Sequence, residues 1–152
     1  MRIMVDTNVL ISGLLFPGSK VSAVFEHVMN AHRLVISSYV IAEFKEVVRR
    51  KFPKLAGLVD VRLSGLKFEL VYTPDRMPEG EFEIRDAKDY PVLYTAVAEG
   101  VDIFLTGDRD FEDVDVGVPR IMTPARPHGG IYGSRRAAQL SARLDSTQLR
   151  TV

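Results

Sequence analysis

The sequence predicts an α/β fold: a five-stranded parallel sheet between helical layers. Three observations carry that prediction. Five short apolar runs, at residues 2–5, 34–36, 68–72, 102–106 and 119–122, are too brief for helices and are closed by polar or turn residues. Helical patterns separate most of them, and strand–helix alternation favours parallel strands joined by crossovers. At 152 residues the chain is long enough to bury one proper core.

The elements follow in order. Residues 2–5 read as a buried first strand that stops at Asp6. The apolar run at 9–16 ends at Pro17-Gly18, a turn signal. Ser19 can cap a helix whose apolar residues are Val21, Val24, Phe25 and Val28. Leu34-Val35-Ile36 is a second strand, closed by two serines. An amphipathic helix spans 39–52 and stops before Pro53. Residues 54–67 read as another helix, with Leu55, Leu58, Val59, Leu63 and Leu66 inward. The third strand is 68–72, and 73–85 is a charged loop with two prolines. A helix over 89–99 ends at Gly100, a C-terminal stop signal. Strand four, the turn Gly107-Asp108-Arg109-Asp110 and a short edge strand at 119–122 complete the fold. Beyond a Pro/Gly stretch, residues 134–144 read as an Arg-rich helix.

Composition excludes several chemistries. The chain has no cysteine, which rules out disulfides, thiolate metal sites and cysteine nucleophiles. No apolar run reaches the roughly 18 residues that cross a bilayer, so a soluble, cytoplasmic protein without a membrane partner is expected. The zero net charge hides an asymmetry. Residues 1–119 carry 14 Lys/Arg against 19 Asp/Glu, and residues 120–152 carry six Arg against one Asp. An acidic body concentrates cations, while a basic tail suits a polyanion or docks back on the body.

Four acids stand where hydrocarbon or a plain turn is expected. Asp6 follows the first strand and doubles as a turn residue. Glu43 shares a helix face with Val40 and Val47, whereas Glu46 has Arg49 and Arg50 within pairing reach. Asp89 leads the inward stripe Val92, Leu93, Ala96 and Val97, or else caps that helix, a role Asp86 can also take. Asp108 follows the fourth strand after Gly107, which permits a sharp turn, and Asp110 lies two residues on. Buried carboxylates cost several kcal/mol without compensation. A shared divalent cation would compensate all four: Mg²⁺ and Mn²⁺ take oxygen ligands and activate water on phosphate chemistry. His27, His32 and His128 fall at no useful spacing.

These segments resemble a known family. Val5-Asp6-Thr7-Asn8-Val9-Leu10, the Ser-x-x-x-x-Glu ending at Glu43, Arg85-Asp86-Ala87-Lys88-Asp89 and Leu105-Thr106-Gly107-Asp108-Arg109-Asp110-Phe111 are similar, in order and spacing, to the motifs of PIN-domain proteins, above all VapC-like toxins. The resemblance implies a sheet of order 3-2-1-4-5 and a Mg²⁺- or Mn²⁺-dependent endoribonuclease, with water attacking the phosphodiester. It implies that Asp6, Glu43, Asp89 and Asp108 hold the metal, with Asn8, Thr106 and Asp110 in support. It also implies an RNA substrate, a small antitoxin partner and a homodimer. Lys88 departs from the pattern, standing where relatives often carry an acid. The resemblance covers residues 1–124 as a nuclease domain and leaves 125–152 as an Arg-rich extension. The alternative is a PIN-like RNA- or protein-binding module without catalysis. A receiver domain would need an acceptor Asp after the third strand, and a haloacid-dehalogenase-type phosphatase would need Asp rather than Asn8 after the first.

Overall fold

β1 (Arg2–Val5) lies at the centre of the sheet, with β2 (Arg33–Ser37) and β4 (Ile103–Leu105) parallel on either side. The computed structural model describes residues 1–124. β3 (Glu69–Val71) and β5 (Arg120–Met122) form the edges, giving the order β3-β2-β1-β4-β5 with every pairing parallel. The expected three-layer α/β/α fold and strand order are therefore observed. The expected 134–144 helix lies outside the described residues.

The chain winds from β1 to β3 in one direction and then returns past β1 to β4. Right-handed crossovers place the connections before and after that reversal on opposite faces. α1 (Thr7–Leu15) and α2 (Lys20–Ala31) join β1 to β2, and α3 (Ser38–Lys51) and α4 (Ala56–Ser64) join β2 to β3. α5 (Tyr90–Ala98) makes the return. The reversal leaves a crevice beyond the carboxyl ends of β1 and β4, where ligands bind in open α/β sheets.

The three central strands are apolar through their middles because both faces are covered: Ile3, Met4, Val5, Val35, Ile36, Phe104 and Leu105 are all buried. Phe25, Phe44 and Leu93 seal them from the helices. α1 and α2 approach closely enough that a Cβ on Gly13 would stand 2.4 Å from the Phe25 ring.

The structure adds detail at three places. The 9–16 run is the body of α1, whose Val9, Leu10 and Ile11 are buried together. The 54–67 helix is divided: a 3-10 turn at Pro53–Leu55 precedes α4, and within it Val59 is buried while Leu58 is exposed. Proline offers no N–H to the first turn, so regular hydrogen bonding begins later. Gly107 is not among the glycines with positive φ, so its turn needs no left-handed backbone. Gly100, with φ 59°, does end α5 as expected.

Candidate metal centre

The register of the two central strands builds the site. Val5 pairs with Leu105, so Asp6 stands beside Thr106, and the Asp6 N–H donates to the Leu105 carbonyl at 3.1 Å. Asp6 is only 7% exposed. Its Oδ1 accepts from the Val9 N–H at 2.7 Å, capping α1. Its Oδ2 accepts from the Thr106 hydroxyl and, at 3.3 Å, from the Gly107 N–H. Burial pushes the Asp6 carboxyl up to about 6. The hydrogen bonds from Thr106, Val9 and Gly107 oppose that rise, and the charge of Asp108 adds to it. Asp6 is thus at once a helix cap and a strained buried acid.

Thr106 links two acids. While donating to Asp6, its Oγ1 accepts from the Asp108 N–H at 3.0 Å. Asp108 Oδ1 in turn accepts from the Asp110 N–H at 2.9 Å, fixing the turn Arg109–Phe111. Phe111 is buried edge-on to Phe104, 5.2 Å between centroids, and so pins this turn to β4.

Asp89 precedes α5, and its carboxylate makes no capping hydrogen bond. Asp86 Oδ1 accepts from the Lys88 N–H instead. Asp89 Oδ2 is buried and has no hydrogen-bond partner among the described residues. Burial raises the Asp89 carboxyl to about 7, helped by Asp108, Asp86, Asp110 and Glu43. A buried carboxylate oxygen with no donor is costly unless something positive reaches it.

Glu43 sits on α3, which Ser37 caps by accepting from the Val40 N–H. The Thr7 hydroxyl donates to Glu43 Oε2 at 2.5 Å, tying α3 to the start of α1. Glu46 pairs with Arg50 at 3.9 Å, as its surface position implies.

Of the residues singled out in the sequence, Asp89, Asp108 and Asp110 converge most tightly: one carboxylate oxygen from each falls within 4.8 Å of the others. Asp6 and Glu43 are not among these three, but the charge of Asp108 acts on Asp6 and that of Glu43 acts on Asp89. Asp110, weighed beforehand as a supporting residue, stands with Asp89 and Asp108. Asn8 is exposed on the first turn of α1. Two neighbours carried no obvious signal. Thr7 orients Glu43. Tyr39, four residues before Glu43 on α3, donates to the Lys88 carbonyl at 2.9 Å, and burial followed by Glu43, Asp89 and Asp86 raises its phenol. All ligand atoms the trio offers are hard carboxylate oxygens, and Asp89 carries an orphan oxygen besides. That set suits an oxygen-seeking divalent cation and no thiophilic one.

A family profile described as the PIN domain matches residues 2–110. The chain belongs to the PIN-domain family. No curated protein sequence matches it significantly. Among solved structures, a chain of VapBC2 from Rickettsia felis, bound to a DNA fragment from its promoter, is similar with a TM-score of 0.63 at 19% identity, covering 81% of this chain and 98% of that one. DNA-bound VapBC from Salmonella typhimurium gives 0.58 at 17% identity, covering 82% and 99%. FitAB bound to the IR36 DNA fragment gives 0.56 at 17%, covering 84% and 99%. At these identities the likeness speaks to the PIN fold alone.

Proposed function

We propose that this PIN-domain protein is a Mg²⁺- or Mn²⁺-dependent endoribonuclease, the toxin of a toxin–antitoxin pair. The observation that carries the reading is the convergence of Asp89, Asp108 and Asp110, together with the buried, unpartnered Oδ2 of Asp89. In this reading Asp6, Glu43, Asp89 and Asp108 are the catalytic and metal-holding acids, and Asn8, Thr106 and Asp110 support them. A bound divalent cation supplies an activated water and offsets charge at the phosphodiester.

The chain's own residues prepare that chemistry. Thr106 keeps Asp6 and Asp108 in fixed relation through one hydroxyl. Thr7 sets the Glu43 rotamer. Asp89 keeps an oxygen free of hydrogen bonds, so it is available as a ligand without breaking a contact. The like charges cost energy together, roughly 4 kcal/mol for a pair about 4 Å apart at an effective dielectric near 20, and this favours cation uptake.

Structural neighbours that are VapBC and FitAB assemblies on DNA support a small antitoxin as partner. The reading extends to a homodimer acting on RNA in the cytoplasm. Among the described residues no single helix is long and apolar enough to cross a membrane. The test compares wild type with Asp6→Asn on labelled RNA in Mn²⁺, with and without chelator. Cleavage by wild type alone, lost on chelation, is the expected result. RNA bound but uncut by wild type in Mn²⁺ would overturn the enzyme reading and favour a binding module.

A further inference from the structure

The acidic cleft poses a problem that its carboxylates do not solve. An RNA strand brings more negative charge to a place already crowded with it, so a protein cation at the rim, beside any bound metal, would help to receive a phosphate. Arg85 is placed for that role. It lies in the segment between β3 and α5, four residues before Asp89, and its side chain is 69% exposed. Its guanidinium divides between two acids beyond β4: Nη1 stands 3.8 Å from Asp110 Oδ1, and Nη2 donates to Asp113 Oδ2 at 3.2 Å. Arg85 therefore spans from the Asp89 side of the cleft to the Asp108–Asp110 side.

The segment that carries it is fastened. The Tyr90 hydroxyl donates to the Pro78 carbonyl, and Phe82 stacks on Tyr90 at 4.8 Å. The Ser38 hydroxyl accepts from the Thr73 N–H at 2.9 Å. With the segment anchored at these points, the exposed guanidinium is free to swing on its own side chain. Its hold on Asp110 is loose, while its fork suits two phosphate oxygens better than two separate carboxylates.

We propose that Arg85 is a substrate-positioning residue that exchanges Asp110 for an RNA phosphate: it holds Asp110 while the cleft lacks a cation, and turns to the backbone of the bound strand when a cation takes that carboxylate. The proposal rests on the nuclease reading for its substrate. Its first half concerns only this chain and the ion.

The experiment uses the full chain as wild type, Arg85→Ala and Arg85→Lys. Mn²⁺ affinity without RNA is measured by calorimetry. Affinity for a fluorescent single-stranded RNA is measured across a salt series in Ca²⁺, which takes the same oxygen ligands. Arg85→Ala is expected to bind Mn²⁺ about threefold more tightly, since a competing cation is gone, and to bind RNA about tenfold more weakly. Its log K against log salt plot should be shallower by about 0.7, the loss of one phosphate contact to a single strand. Arg85→Lys should keep the wild-type slope while losing part of the affinity. RNA binding and slope unchanged in Arg85→Ala would overturn the proposal, as would weaker Mn²⁺ binding, which marks a purely structural strut. Wild type that binds RNA through Arg85 but never cleaves it in Mn²⁺ would sink the nuclease reading and leave the Arg85 exchange standing. Cleavage by both wild type and Arg85→Ala, with RNA affinity and salt slope equal in the two, would do the reverse.

Discussion

Replacing Asp6 with asparagine should abolish cleavage and, in the metal-free protein at neutral to alkaline pH, raise stability. Asp6 is buried, and its carboxyl is pushed from the ordinary 3.8 up to about 6, chiefly by desolvation. That rise corresponds to about 3 kcal/mol of strain in the charged form. The sign follows from linkage: between these two values the folded protein binds more protons than the unfolded chain, so stability increases as pH falls through about 6. Asparagine removes the charge but keeps an oxygen for the Val9 N–H. It gives up the charged acceptor now shared by Thr106 and Gly107, a loss of about 1–2 kcal/mol. The balance is a gain of about 1–2 kcal/mol, or roughly 3 °C in Tm for a chain of this size. The assay is thermal and urea unfolding in chelator at about pH 8 and about pH 5, the lower value chosen because wild-type Asp6 is then largely protonated. The gain should appear at the higher pH and vanish or reverse at the lower. Equal destabilisation at both would refute the claim that Asp6 is a strained anion, and with it the case that a cation relieves the cleft.

Other outcomes follow from the same geometry. Mn²⁺ affinity should climb as pH rises through about 7 and then level off, because the ion must displace the proton that Asp89 holds; calorimetry in buffers of different ionisation enthalpy would detect the released proton. At saturating Mn²⁺, wild type should melt higher than in chelator, by roughly 3 kcal/mol at a hundredfold excess over Kd, while Asp89→Asn and Asp108→Asn lose most of that gain. Thr7→Val leaves Glu43 without its hydroxyl donor, and cleavage should fall on the order of tenfold with little change in Tm, read from initial rates on labelled RNA. Gly13→Ala should destabilise by about 1–3 kcal/mol in urea unfolding, because the Phe25 ring occupies the space a methyl would need.

Much of this architecture was legible because its signals are local. Strands buried on both faces announce themselves as apolar runs, and Ser19, Ser37 and Gly100 punctuate helices as their chemistry demands. α1 was not legible, for a definite reason. Val9, Leu10, Ile11, Leu14 and Leu15 are apolar nearly all round, so no amphipathic period marks the helix, and its cap, Asp6, reads equally well as a turn residue. Asp89 looked like a helix cap because its position is right. Only coordinates reveal that its carboxylate caps nothing. The weight of Asp110 was hidden for a similar reason. The sequence marks 107–110 as a turn, but only the 3-10 geometry of Arg109–Phe111 brings the Asp110 carboxylate to Asp89 and Asp108. The Thr7–Glu43 and Arg85–Asp110 contacts join positions far apart in the chain, and no local pattern encodes them.

The bond from Thr106 to Asp6 spans 100 positions of sequence, and that has a consequence for synthesis. As the protein emerges from a ribosome, its first acid waits for a partner 100 residues further on. Until β4 slots in beside β1, Asp6 lacks its hydroxyl donor and Asp108 does not yet exist. A partly made chain therefore holds no assembled acidic cleft, which forms only once β4 has joined β1.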